Sequence, residues 1–408
     1  MCYAGGVPRF QPFRALRYNS ALAPLADVVA PPYDVVDADE RARLVARSPY
    51  NSIRVELPVA DPDRGLDRYE AAAALLAAWQ AEGVLARDPS PALYVYKMGF
   101  RDDAGRPRTT TGVIGALGLE PSGGAVVPHE QTMAAPGRDR LRLLRACRVN
   151  SSPIWGLSLA PGLTAACAAA TATASDHVQT TDDEETTHEM WPIADESAIR
   201  ALATLIAPAP VVIADGHHRH ETAMRYRAEC RARTDAPGDH DFLMAFVAEL
   251  APDELGASAI HRLVTGLPEG FDLPGEFGRA FRLEPAADDA VALGDAMAAR
   301  SAPALVTAEG TWLLLSTTEG PVRAAEPDSG LVDEFLARLP RHGIAYQHDA
   351  DRARAAVRAG RAQAAVLVRP PTAAQLAGAV RAGVRMPPKS TYFFPKPRTG
   401  FVFRPLDR

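Results

Sequence analysis

The densest chemistry in the sequence is the run Ala214-Asp215-Gly216-His217-His218-Arg219-His220-Glu221. It follows Val211-Val212-Ile213-Ala214, which reads as a strand, and it opens a helix expected to reach about Arg233. A strand, a glycine turn and a helix N-terminus bring unpaired backbone N–H groups and a partial positive charge to one point. Phosphate binds at such points. Gly216 lets the backbone approach an anion closely, and His217, His218 and Arg219 add side-chain donors. Asp215 ends the strand, where a carboxylate can hold Mg²⁺ or accept a substrate proton. His218 is a further candidate catalytic group. A plainer reading and a sharper rival compete. Asp215 can simply cap the helix, with the histidines in solvent. His217 and Glu221, four apart, share a helix face and can bind a transition metal, although HHRHE is not the HExxH pattern.

Three other groups carry possible chemistry. Pro128-His129-Glu130-Gln131-Thr132 precedes Arg138, Arg140, Arg142 and Arg145. Glu130 is a candidate general base with His129 beside it, and Arg138 and Arg140 can clamp a phosphate or carboxylate through bidentate hydrogen bonds. The alternative for these arginines is the outer face of an amphipathic helix with Leu141, Leu143 and Leu144 inward. In Pro31-Pro32-Tyr33-Asp34, Asp34 is either a site carboxylate or part of an Asx-type turn. The tail holds Lys389, Ser390, Thr391 and Lys396. Only three of the 44 basic residues are lysine, the third being Lys97, so two lysines within eight residues stand out. A compact ammonium reaches a single phosphate oxygen in a way the broad guanidinium does not.

These groups need elements to hold them. A helix is expected from about Asp37 to Ala46, a strand at Asn51–Leu57, a helix at Leu66–Glu82, and strands at Tyr94–Phe100 and Thr110–Leu119. An arginine-rich helix at Arg138–Arg148 and a small-residue helix at Pro161–Ser175 follow. Residues 176–190 are polar and acidic, an expected exposed hairpin or loop. Then come a helix at Ser197–Ile206, a strand at Phe242–Leu250, a hairpin at 304–324, and a helix, strand and helix at 350–360, 364–369 and 372–382. Strands and helices mix irregularly, which predicts an α+β fold with mixed sheets. The chain divides in this reading into 1–170, 171–265 and 266–408, with uncertain limits and one interdigitated unit as the alternative.

Composition removes several classes of function. The 408 residues carry a net charge of −6, so no broad basic surface for nucleic acid is expected. No run approaches the roughly 20 apolar residues that cross a bilayer. The first residues, MCYAGGVPRF, lack the apolar core of a signal peptide. Four scattered cysteines form no CxxC pair. A cytoplasmic protein without nucleic-acid or membrane partners is the expectation, with an oligomer allowed.

PPYDVV, NSIRVELP, HEQT with RDRL, ADGHHRHETAMRYR and MPPKSTYFFPKPRTG occur in this order. Together they closely resemble domain-of-unknown-function family 1015, a bacterial and archaeal family without a general assigned activity. The strand–DGHHR–helix element is also similar to the phosphate-binding box of the ParB/sulfiredoxin superfamily, which includes free serine kinases. That resemblance implies a ParB/sulfiredoxin-like core at 171–265, with Asp215, Gly216, His217, His218 and Arg219 facing nucleotide phosphates. Sulfiredoxin's reactive cysteine has no counterpart in DGHHR, and no ParB helix-turn-helix is evident.

The leading expectation is a kinase that uses ATP or ADP with Mg²⁺ at Asp215. It transfers a phosphoryl group to a hydroxyl of serine or a related amino acid. Glu130 or Asp34 is the base and Asp215 the reserve. Gly216, His217, His218, Arg219, Lys389, Ser390 and Lys396 face phosphate, while His129, Arg138 and Arg140 face the acceptor. The rivals are a non-catalytic nucleotide-responsive binding module and a metal-dependent hydrolase.

Overall fold

The computed structural model describes residues 8–102, 105–120, 126–128, 134–172, 174, 176–251, 257–316, 327–382, 389 and 391–407. The fold is α+β with mixed sheets, as the irregular alternation of elements predicts. Two compact units are present, one drawn from Met1–Pro128, Thr132–Gly256 and Pro395–Arg408, the other from Ala257–Phe394. The three expected segments are continuous in sequence, whereas the first unit is assembled from separated stretches.

The first unit is built on a nine-stranded sheet. Val126–Pro128, Val211–Asp215, Ile154–Ser158, Phe242–Glu249, Pro107–Gly118, Leu93–Arg101, Thr187–Ile193 and Val178–Thr181 lie side by side in that order, and Phe10–Gln11 pairs with the end of Pro107–Gly118. Most neighbours are antiparallel, but Val211–Asp215 runs parallel to Val126–Pro128, and Phe242–Glu249 parallel to Ile154–Ser158. The central strands are buried along nearly their whole length and are rich in Val, Ile and Phe, the composition expected when both faces are covered. Gly115 leaves room for the Phe10 ring, which a Cβ would strike. The helices Leu163–Thr171 and Glu196–Ile206 supply Leu163, Cys167, Leu202 and Ile206 to the core beneath.

Local signals place several elements well. Asp67 and Glu70 form a reciprocal capping box, and Arg68–Ala81 follows as a helix. Asp37 accepts from the Glu40 amide and starts Ala38–Arg47. The expected strand at Asn51–Leu57 is instead a short helix, Ile53–Glu56. Asn51 explains the change: its Oδ1 accepts from the Ile53 amide at 3.0 Å, while Nδ2 donates to the Asp27 carbonyl at 2.7 Å. A fixed side-chain turn thus overrides the β-branched pattern.

The acidic stretch 176–190 is a hairpin, as one expected option had it, but it is not simply exposed. Asp182 and His188 are buried in it. The Arg398 amide donates to the Tyr96 hydroxyl at 3.2 Å, and that hydroxyl is hydrogen-bonded to His188 Nδ1 at 2.8 Å; an ionised Asp182 can only accept, which sets the tautomer. His188 then carries its proton on Nε2, 2.8 Å from Asp182 Oδ2, and Arg398 Nε also donates to that oxygen at 2.8 Å. Burial pulls the His188 imidazole below its ordinary value despite Asp182, which fits a neutral ring. This network fastens the segment after Pro395 to the sheet.

The second unit carries a six-stranded antiparallel sheet: Phe281–Pro285, Thr311–Ser316, Ala304–Thr307, Ala364–Leu367, His261–Thr265 and Gly343–Gln347. The described part of the expected 304–324 hairpin is the pair Ala304–Thr307 and Thr311–Ser316. Arg262, wholly buried, forms a bidentate pair with Asp333 at 2.8 Å through both nitrogens.

Arg398→Ala leaves Asp182 and His188 buried without their cation. The expected loss is about 3–5 kcal/mol, read by urea denaturation at neutral pH. A loss below about 1 kcal/mol, the size of a surface pair, would contradict the clamp.

Candidate functional site

Asp215 closes the strand Val211–Asp215, just after the ladder to Ile154–Ser158 shifts register. Gly216 follows at φ 92° and ψ 27° and caps the helix His217–Arg233. This left-handed conformation favours glycine. Space demands it too, because a Cβ would lie 2.9 Å from Ile154 Cγ2 and 3.0 Å from Arg219 Nε.

The tight turn folds the first helical turn back toward the strand end. Arg219 Nη2 lies 2.6 Å from Asp215 Oδ2. Its Nη1 donates to Ser152 Oγ at 3.2 Å and to the Pro153 carbonyl. The other Asp215 oxygen, Oδ1, is 2.8 Å from Lys396 Nζ. The same ammonium donates to Asp34 Oδ2 at 2.6 Å. One lysine therefore bridges two carboxylates, one from the turn Tyr33–Val35 and one from the sheet. The Lys396 and Arg219 side chains are 10% and 11% exposed, Asp34 38%.

Burial opposes the charge on Asp215, but Lys396 and Arg219 outweigh it and hold the carboxyl down at about 2. Burial likewise opposes the charge on Lys396, and Asp215 and Asp34 carry it above the ordinary lysine value. Asp215 is thus a poor proton acceptor at neutral pH, which weakens its expected reserve role. Both of its oxygens sit on resident cations, an arrangement that fits an ammonium and not, with Lys396 in place, a divalent ion. Among the described residues no group of three or more His, Cys, Asp and Glu is placed to hold a metal. Burial pulls the His220 imidazole down to about 4, leaving it neutral.

Of the candidates, Asp34, Asp215, Gly216, Arg219 and Lys396 meet in the first unit, with His217 and His218 on the adjoining helical turn. His129, Glu130 and Ser390 lie outside the described residues. Lys389 belongs to the second unit, in an exposed turn at φ 59°. Arg138 is exposed. Arg140 differs from the expected open clamp. It is buried, donates to the Glu56 carbonyl at 2.7 Å and to Asp139 at 2.9 Å, and stacks over the Tyr33 ring at 4.3 Å. Glu56, taken for part of a strand, is the residue that sequence reasoning passed over. The placement of an acid in the otherwise apolar, arginine-bearing run NSIRVEL was the only signal for it.

A family model described as a protein of unknown function, DUF1015, matches residues 10–340. The chain belongs to the DUF1015 family. Lys396 lies beyond the residues matched. No curated protein matches the chain. Among solved structures, this DUF1015 protein is similar to a free serine kinase in complex with AMP, at 14% identity and TM-score 0.37, covering 69% of this chain and 88% of that one. It is similar to SbnI with C-terminal truncation from Staphylococcus aureus at 10% identity and TM-score 0.37, covering 70% and 84%. A conserved hypothetical protein from Pyrococcus furiosus follows at 16% and 0.34, covering 66% and 87%. Among the described residues, no helix is long and apolar enough to cross a membrane.

Gly216→Ala is expected to cost about 1–3 kcal/mol, measured by thermal or urea denaturation, from the left-handed strain and the clash with Ile154. Lys396→Met tests the ion pairs by pH. Because Asp215 is depressed when folded, its contribution to stability is present above the unfolded carboxylate value and is lost as pH falls toward about 2. Without the ammonium that loss begins at higher pH. The acid-unfolding midpoint, followed by circular dichroism, should rise by about 1 unit. An unchanged midpoint counts against the coupling.

Proposed function

We propose that this chain is a nucleotide-dependent small-molecule kinase. It passes a phosphoryl group from ATP or ADP to the hydroxyl of serine or a related amino acid. The observation that carries this reading is the gathering of Gly216, Arg219 and Lys396 about Asp215 at the start of the helix His217–Arg233. Phosphoryl transfer asks a protein mainly for positioning and charge stabilisation. A helix N-terminus, a glycine without a Cβ and two buried cations answer that need.

In this mechanism the donor's phosphates lie over the Gly216 turn, with His217 and His218 beside them. Lys396 exchanges part of its carboxylate contact for a phosphate oxygen. Arg219, braced by Ser152 and Pro153, keeps the strand end and the helix start in register. Asp34 is the more exposed of the two carboxylates on Lys396 and serves as general base. It takes the acceptor's hydroxyl proton as that oxygen attacks phosphorus. The bond from phosphorus to the nucleotide's bridging oxygen breaks, and the electron pair leaves with the nucleotide. A Mg²⁺ ion accompanying the nucleotide would offset part of the phosphate charge, and Asp215 could hold it only if Lys396 gave way.

The test is to incubate the pure protein with ATP or ADP, Mg²⁺ and L-serine and to look for phosphoserine by mass spectrometry. Arg219→Ala should weaken nucleotide binding at least about tenfold, and Lys396→Arg should lower kcat/KM by about 10²-fold. Absence of nucleotide binding at millimolar concentration would sink the proposal. Binding without turnover would make the chain a nucleotide-responsive module instead.

A further inference from the structure

Beside Arg219 the first unit has a partly open pocket of about 50 Å³. Its lining includes Glu56, Arg140, Arg219 and Thr222, together with the apolar Leu143 and Leu144. Glu56 is only 2% exposed, yet among the described residues its carboxylate makes only long contacts: Arg140 Nη1 lies 3.4 Å from Oε2, and Thr399 Oγ1 lies 3.4 Å from Oε1. Hydrogen bonds of that length are weak. The cations nearby are committed elsewhere. Arg140 is drawn to Asp139 and to the Glu56 carbonyl, Arg219 to Asp215, and Lys396 to Asp34 and Asp215. Asp139 is shared by Arg140 and Arg68, and Asp34 and Asp215 are held by Lys396 and Arg219. Glu56 is the carboxylate left with the poorest share. Its charge is felt locally, since burial and Glu56 push the Cys147 thiol up to about 12. Thr222 adds a second sign of incompleteness. Its hydroxyl is buried and finds no hydrogen-bond partner among the described residues. Buried polar groups without partners call for a water or a ligand.

We infer that this pocket is the binding site for a small amine, with Glu56 as the residue that reads its ammonium. An ammonium supplies three short donors to a carboxylate whose contacts here are both 3.4 Å, and Thr222 offers a hydroxyl to another polar group of the ligand. The volume limits the occupant to a few heavy atoms. This deepens the proposed function and rests on it in one respect: the amine would be the amino group of the amino-acid acceptor, held beside Arg219.

The experiment is calorimetry on the full-length protein without nucleotide. The probes are L-serine, ethanolamine, which lacks the carboxylate, and 3-hydroxypropanoate, which lacks the ammonium. L-serine and ethanolamine should bind at least tenfold more tightly than 3-hydroxypropanoate, and Glu56→Gln should erase that preference. Thr222→Val provides a milder second variant and should weaken L-serine several-fold even if the Glu56 variant fails to fold. Equal binding of the three probes, a preference that survives Glu56→Gln, or no binding at millimolar concentration overturns the inference. Amine binding without phosphoserine formation leaves this site standing and fails the kinase reading. Phosphorylation of 3-hydroxypropanoate as efficient as that of L-serine does the reverse.

Discussion

A single ammonium holds the candidate site together. Lys396 is nearly enclosed, so its charge has little help from water and depends on Asp34 and Asp215 at 2.6 and 2.8 Å. A lysine suits this place because its charge is compact and can sit between two acids on a short line. The contacts that fix its backbone are equally specific. Arg398, two residues on, is tied to Asp182, and Thr399 exchanges backbone hydrogen bonds with Ala30, only four residues before Asp34. The tail therefore positions both the ammonium and one of its acids.

The arginines show the complementary use of charge. Arg140, Arg219, Arg262, Arg398 and Arg404 are all largely buried, and each has carbonyl or carboxylate partners. A planar fork with several donors satisfies such sites where one point charge would not. In this chain most arginines that reach the interior join segments distant in sequence, as Arg404 does between Asn150 and the Phe242 carbonyl. Burial lowers the Arg404 guanidinium to about 10, which still leaves it charged at neutral pH. Losing one partner of a buried pair strands a charge, so these links favour a single arrangement of the strands and the tail.

What could be read from sequence was what local chemistry decides. The capping box at Asp67 and Glu70, the Asp37 cap and the strand–Gly216–helix element all formed where their own residues point. The scarcity of lysine drew attention to the tail, and Lys396 does lie at the site, while Lys389 belongs to the second unit. Nothing local separates the two, because the choice is made by Asp182, Tyr96 and Ala30, far away in sequence. Asn51–Leu57 failed for the same reason. Its alternating apolar pattern suits a strand, but Asn51 spends its side chain on Asp27 and Ile53, and the Ser52 amide goes to the Val28 carbonyl at 2.8 Å. Glu56 then arrives on a helical turn facing Arg140, which no strand reading places there.

The charge balance at the site bears on what it can bind. Asp34 and Asp215 are matched by Lys396 and Arg219, so the resting cluster is close to neutral. A polyphosphate entering it must compete with two carboxylates for the same ammonium, and it brings more negative charge than Lys396 and Arg219 can offset alone. The N-terminus of His217–Arg233 supplies about half a unit of positive charge and oriented N–H groups. Gly216 keeps that end open to close approach. A cation travelling with the phosphates would remove most of the remaining excess without needing a ligand set of its own. Any phosphate bound there would have to repay the broken Lys396 contacts, which an isolated weak anion would do poorly. On the proposed reading a nucleotide, with several phosphate oxygens and its own countercharge, would meet that demand through the residues that also form these ion pairs.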